Sequence, residues 1–122
     1  MTNINCLIID DEPLAVNVIK NFIEEINNIS VKETFNNAID ALAFLKNNNV
    51  DLIFLDINMP LLNGLDFIKN LENKPLIIVT TAYDEYAIKT YELEVLDYLM
   101  KPISFPRFLK LLIEHLKNLT LI

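Results

Sequence analysis

Acidic, hydroxyl and ammonium side chains stand in this sequence directly after short apolar runs. Asp10, Asp11 and Glu12 follow Cys6-Leu7-Ile8-Ile9, and Asp56 follows Leu52-Ile53-Phe54-Leu55. Thr80 and Thr81 follow Leu76-Ile77-Ile78-Val79, and Lys101 with Pro102 closes the stretch Val95 to Met100. Three carboxylates gathered in one cleft repel, and partial burial raises the cost of each charge. Protonation or a bound cation relieves that. A hard, oxygen-only donor set suits Mg2+, which takes phosphate oxygens as further partners. A carboxylate held beside such an ion can attack a phosphoryl group, with Lys101 and the Thr81 hydroxyl neutralising the phosphoryl oxygens. Nucleophile–base pairs for acyl transfer are poorly supported, because no His or Cys adjoins the acidic set. The lone His115 falls late in the last helical stretch and is expected to be a surface or half-buried packing residue. Taken singly, an Asp after an apolar run is a cap or turn residue and a Lys before Pro a solvated loop residue. It is the recurrence at four run ends that points to a site.

For these groups to meet, the runs must be strands of one sheet. The three runs ending in Ile9, Leu55 and Val79 are apolar throughout, as strands buried on both faces are. Val31 to Phe35 and Val95 to Met100 are more mixed and suit sheet edges. Between the runs the spacing turns helical. Leu14, Val18, Phe22 and Ile26 recur every fourth residue, with Pro13 at the first helical position. Ala38, Ala41, Leu42 and Leu45 mark a second helix, and Leu65, Ile68 and Leu71 a third, entered through Gly64. Asp84 to Glu92 is a shorter fourth. Phe105, Phe108, Leu109, Leu112, Leu116 and Leu119 make the fifth, with Ser104 as its N-cap. All these stripes are read as core packing.

Strand and helix thus alternate five times over residues 1–122. That predicts a single α/β domain, a flavodoxin-like (βα)5 doubly wound parallel sheet with strand order 2-1-3-4-5. Ligands of such sheets bind at the carboxyl ends of the strands. The first and third strands are then neighbours, which brings Asp10, Asp11 and Asp56 together and sets Lys101 on the far side of the pocket.

Composition narrows the alternatives. The chain has 122 residues, 52% apolar and 22% charged, which is enough to build one core without disulfides or structural metal. A formal charge of −7 argues against a nucleic-acid surface on this chain by itself. The single cysteine, Cys6, excludes a disulfide framework and suits a reducing cytosol. No apolar run is of membrane-span length, and the N-terminus lacks the basic start of a signal peptide. The only glycine, Gly64, rules out phosphate-cradling Gly-rich loops. Sixteen asparagines carry no functional weight.

Asp10-Asp11, Asp56-Ile57-Asn58-Met59-Pro60, Thr81-Ala82 and Tyr98 three before Lys101-Pro102 resemble the receiver domain of bacterial two-component response regulators, over nearly the whole chain and in the family's order and spacing. Asp11-Glu12-Pro13-Leu14-Ala15, Thr81 to Ala87 and Lys101-Pro102-Ile103-Ser104 further resemble receivers of the LytR/AlgR (LytTR) type. The resemblance implies that Asp56 accepts a phosphoryl group from the phosphohistidine of a sensor histidine kinase. It implies that Asp11, Asp56 and the backbone carbonyl of Asn58 coordinate Mg2+, with Asp10 helping through water. Thr81 and Lys101 would contact the phosphoryl oxygens, and the Lys101-Pro102 bond is typically cis in the family. Phosphorylation adds close to two negative charges. The resemblance implies that Thr81 is then drawn in, that Tyr98 turns inward behind it, and that the face of the fourth helix, fifth strand and fifth helix is reshaped. Asn58 and Tyr83 stand two residues beyond Asp56 and Thr81, placed to overhang the path of attacking water, so they are expected to tune dephosphorylation, with Tyr83 slowing it.

The resemblance also implies signalling from the cytoplasm rather than turnover, and a DNA-binding output domain. The chain stops at Ile122, so the expectation is an excised receiver that reaches DNA only through that absent domain, or a stand-alone receiver acting by protein contact. A homodimer through Tyr86, Lys89, Glu92, Asp97, Arg107 and Lys110 is a further expectation. Two rivals remain. A haloacid-dehalogenase-type Mg2+-dependent phosphohydrolase wants a second Asp where Asn58 stands, and also cap elements. A degenerate receiver that binds without phosphorylation would not need the intact Asp11, Asp56, Thr81 and Lys101.

Overall fold

A computed structural model describes residues 3–72, 74–82 and 95–122. Among them are strands β1 (Ile4–Ile9), β2 (Ile26–Asn27), β3 (Ile29–Phe35), β4 (Leu52–Asp56), β5 (Leu76–Thr81), β6 (Asp97–Met100) and β7 (Thr120–Leu121). The helices are α1 (Pro13–Glu24), α2 (Ala38–Leu45), α3 (Gly64–Lys69) and α4 (Phe105–His115). The expected helix over Asp84 to Glu92 lies outside the described residues. Five parallel strands form one sheet in the order β3-β1-β4-β5-β6, which is the predicted 2-1-3-4-5 once the two short strands are set aside. The two mixed strands, β3 and β6, take its edges.

The central runs are apolar throughout because successive side chains enter opposite layers. Cys6, Ile8, Phe54, Ile78 and Leu99 pack with Ile19, Ile23, Phe108, Leu111 and Leu112 of α1 and α4. Leu7, Ile9, Ile53, Leu55, Ile77 and Val79 pack with Ala38, Ala41, Phe67 and Ile68 of α2 and α3. Stacking of Phe54 on Phe108, with ring centroids 5.4 Å apart, ties β4 to α4. Helix starts follow local chemistry: Asn37, Asn63 and Ser104 each accept a backbone N–H of the first turn, the last as predicted.

Several sequence expectations need correction. In α1 the core stripe is Ile19 and Ile23, whereas Leu14 and Val18 are exposed. Ile26 leaves the helix and enters β2. The edge strand β3 begins at Ile29, two residues earlier than read, and β6 begins at Asp97 rather than Val95. Helix α3 stops at Lys69, before Leu71, and α4 stops at His115, with Leu116 as its C-cap. Leu119 is still buried, because the chain turns back and β7 pairs antiparallel with β2. Ile122 N–H reaches Glu25 O at 3.0 Å, and Asn28 Nδ2 reaches Asn118 O at 2.6 Å.

Candidate functional site

The carboxyl ends of β1, β4, β5 and β6 meet at one rim. Asp10 and Asp11 follow β1, Asp56 is the last residue of β4, Thr81 the last of β5, and Lys101 follows β6. Asp10, Asp56 and Thr81 are buried, while Asp11 and Asn58 are exposed. One carboxylate oxygen from each of Asp10, Asp11 and Asp56 lies within 4.8 Å of the others. Lys101 Nζ is 3.0 Å from Asp10 Oδ2, 3.3 Å from Glu12 Oε1 and 3.5 Å from Asp56 Oδ2. It therefore stands among the carboxylates rather than on the far side of the pocket. Sequence reasoning missed Glu12 as a partner of Lys101. Its position after Asp10 and Asp11 on the same strand end was the available signal.

The backbone holds these groups in place. Asn58 N–H donates to Asp56 Oδ1 at 3.0 Å, and Glu12 N–H donates to Asp10 Oδ1 at 2.9 Å. Lys101 N–H donates to Thr81 O at 2.8 Å, and the Lys101-Pro102 bond is cis. Thr80 stands opposite Asp56 in the β4–β5 register, with Thr81 one residue beyond. A cleft of about 700 Å3 opens over the site, lined by Asp11, Glu12, Asp56, Asn58, Ala82 and Lys101 among others.

Gly64 explains how the loop after Asp56 keeps its shape. Its N–H bonds Ile57 O at 2.8 Å, and a Cβ there would lie 2.6 Å from Ile57 Cα and 2.8 Å from Asp56 O. Both obstacles are backbone, so neither can swing aside. Gly64→Ala is expected to cost about 3 kcal/mol of stability. Urea titration of the variant measures the effect.

Burial, then repulsion from Asp10, pushes the Asp56 carboxyl up to about 7, against the opposing pull of Lys101 and the Asn58 N–H. Burial alone would lower Lys101, but its contact with Asp10, the charges of Asp56 and Asp10 and the hydrogen bond to Glu12 outweigh this and hold it above the ordinary lysine range. Asp10 Oδ2 is buried, with Lys101 Nζ 3.0 Å away as its ion-pair partner. Carboxylate oxygens of three aspartates within 4.8 Å of one another, all hard donors, fit a divalent ion of the Mg2+ class.

The model of the family described as "Response regulator receiver domain" matches residues 6–113. The chain belongs to that family. It is the receiver domain of a two-component response regulator, a class of signalling proteins. It is 40% identical over 111 residues to the transcriptional regulatory protein BtsR of Escherichia coli K12, covering 89% of this chain and 46% of BtsR. It is 39% identical over 104 residues to the transcriptional regulatory protein YpdB of the same organism, covering 83% of this chain and 43% of YpdB. The receiver thus spans about half the length of these relatives. The response regulatory domain of mrkE from Klebsiella pneumoniae superposes with a TM-score of 0.85 at 35% identity, covering 92% of this chain and 94% of that one. The chemotaxis protein CheY4 of Vibrio cholerae, at 22% identity and a TM-score of 0.80, shares the fold, covering 94% of this receiver and all of CheY4.

Other residues singled out from sequence fall elsewhere. Tyr98 on β6 is half-buried and packs against the layer under α2 and α3. Tyr83, Tyr86, Lys89 and Glu92 lie outside the described residues. His115 is at the surface, yet it is not merely a packing residue: its Nε2 is 3.0 Å from Asp97 Oδ2. No helix among the described residues is long and apolar enough to cross a membrane.

Proposed function

We propose that Asp56 is the phosphoacceptor of this receiver. A carboxylate oxygen of Asp56 attacks the phosphorus of a phosphohistidine on a sensor histidine kinase. The P–N bond breaks, and the imidazole leaves with the electron pair. Asp10, Asp11, Asp56 and the Asn58 carbonyl are the groups to hold Mg2+, which when bound supplies positive charge to the phosphoryl oxygens. Lys101 provides a second, fixed charge on the same oxygens, and Thr81 a hydroxyl donor. Asp10 and Glu12 hold Lys101 in place for that task. The observation that carries this reading is Lys101 Nζ set 3.5 Å from Asp56 Oδ2, within a triad of carboxylates.

Thr81 and Tyr98 are the switch pair in this proposal, and Asn58 with Tyr83 tunes the lifetime of the phosphoryl group. The transcriptional regulators among the relatives support a LytR/AlgR-type protein whose output domain binds DNA. Residues 1–122 are then its receiver domain, working in the cytoplasm without substrate turnover, with a homodimer through the surface around β6 and α4 on phosphorylation. Beryllofluoride, which mimics a phosphoryl group on a carboxylate, tests the reading. Binding should require Mg2+ and vanish in Asp56→Ala. Binding that survives in the variant, or ignores Mg2+, would remove Asp56 from this role.

A further inference from the structure

β6 is the outer strand of the described sheet. Alternate residues of such a strand turn their peptide groups away from the neighbouring strand, leaving them without ladder partners. Both peptide groups of Tyr98 are instead taken by side chains. Its N–H donates to Asp97 Oδ1 at 2.7 Å, and its C=O accepts from Arg107 Nη2 at 3.2 Å. The Asp97 carboxylate is held in turn from α4, with Arg107 Nη2 3.6 Å from Oδ1 and His115 Nε2 3.0 Å from Oδ2. Arg107 and His115 stand about two helical turns apart, so one face of α4 reaches the strand twice. The Tyr98 ring packs into the layer under α2 and α3, while α4 covers the opposite side of the sheet.

We propose that Asp97, Arg107 and His115 form a clamp that fixes the backbone on both sides of the Tyr98 Cα, so that the ring changes place by side-chain rotation alone. Charge-assisted bonds to both groups resist turning of either peptide. Asp97 and Arg107 are then positioning residues for the aromatic switch. This rests on the reading of Tyr98 as a switch residue given above.

Fluorotyrosine labelling, with the Tyr98 resonance assigned by Tyr98→Phe, reads the ring, and amide hydrogen exchange reads the clamp. In the metal-free protein, Asp97→Ala is expected to speed exchange of the Tyr98 N–H about tenfold. Arg107→Met should move the ring resonance toward its position with Mg2+ and beryllofluoride before either is added, and Arg107→Lys should move it less. Unchanged exchange in Asp97→Ala overturns the clamp, as does a ring resonance in Arg107→Met that matches the unmutated protein before and after beryllofluoride. A Tyr98 resonance that ignores beryllofluoride in the unmutated protein rejects the switch role instead, and amide exchange still decides the clamp.

Discussion

Asp56→Asn should stabilise the metal-free protein by about 4 kcal/mol at pH 8 and by almost nothing near pH 4. The Asp56 carboxyl ionises near 7 in the folded chain, against an ordinary value of 3.8. Its folded value is raised, so the native state holds a proton that the unfolded state has already released. Stability therefore falls as pH climbs from about 4 to about 7 and stays low above that window. An amide carries no charge at any of these pH values, which removes the slope. Denaturant unfolding between pH 4 and pH 8 without divalent ions shows it directly. Parallel pH profiles for the two proteins would mean that Asp56 is not electrostatically strained. Mg2+ favours ionised Asp56, so its affinity should rise with pH through the same window, and saturating Mg2+ should flatten the decline.

The second large effect belongs to Lys101. Its ammonium stands against Asp10 and Asp56, whose side chains are only 1% and 6% exposed. Removing one partner of a buried ion pair leaves uncompensated charge, at a cost of about 3–5 kcal/mol. Lys101→Met should lose stability of that order above pH 7 in the absence of metal. Less should be lost near pH 4, where Asp56 already carries a proton with or without Lys101. Lys101 itself stays charged across this range, its pKa being held above the ordinary lysine value. The same variant should bind Mg2+ more tightly, by about tenfold, because a competing cation has gone. Phosphoryl uptake should nonetheless fall at least about a hundredfold if, as proposed, Lys101 is the fixed donor to the phosphoryl oxygens. A protein both weaker in its fold and tighter for Mg2+ separates this from a general loss of structure. Calorimetry with and without Mg2+ measures both changes.

Much of this was legible in the sequence, for a physical reason. Strands covered on both faces must be apolar at every position, so Cys6 to Ile9, Leu52 to Leu55 and Leu76 to Val79 announced the sheet, and the polar residues ending them announced the site. Helix faces were harder. In α1, apolar residues at 14, 15, 16, 18, 19, 22 and 23 permit more than one stripe, and only the tertiary fold selects Ile19 and Ile23 over Leu14 and Val18. The β2–β7 pairing could not be read, because two-residue strands have no periodicity to detect. Glu12 and Lys101 are 89 positions apart, and His115 and Asp97 meet only once α4 packs on β6. Gly64 was legible as a helix entrance but not as the one residue small enough to pass Ile57 and Asp56.

The most direct measurement is intact mass and peptide mapping after incubation with Mg2+ and acetyl phosphate. One phosphoryl group should be gained per chain, released by hydroxylamine as an acyl phosphate must be, and located on Asp56. A phosphoryl group mapped to any other residue, or no gain at pH 8 with saturating Mg2+, would contradict the assignment of Asp56.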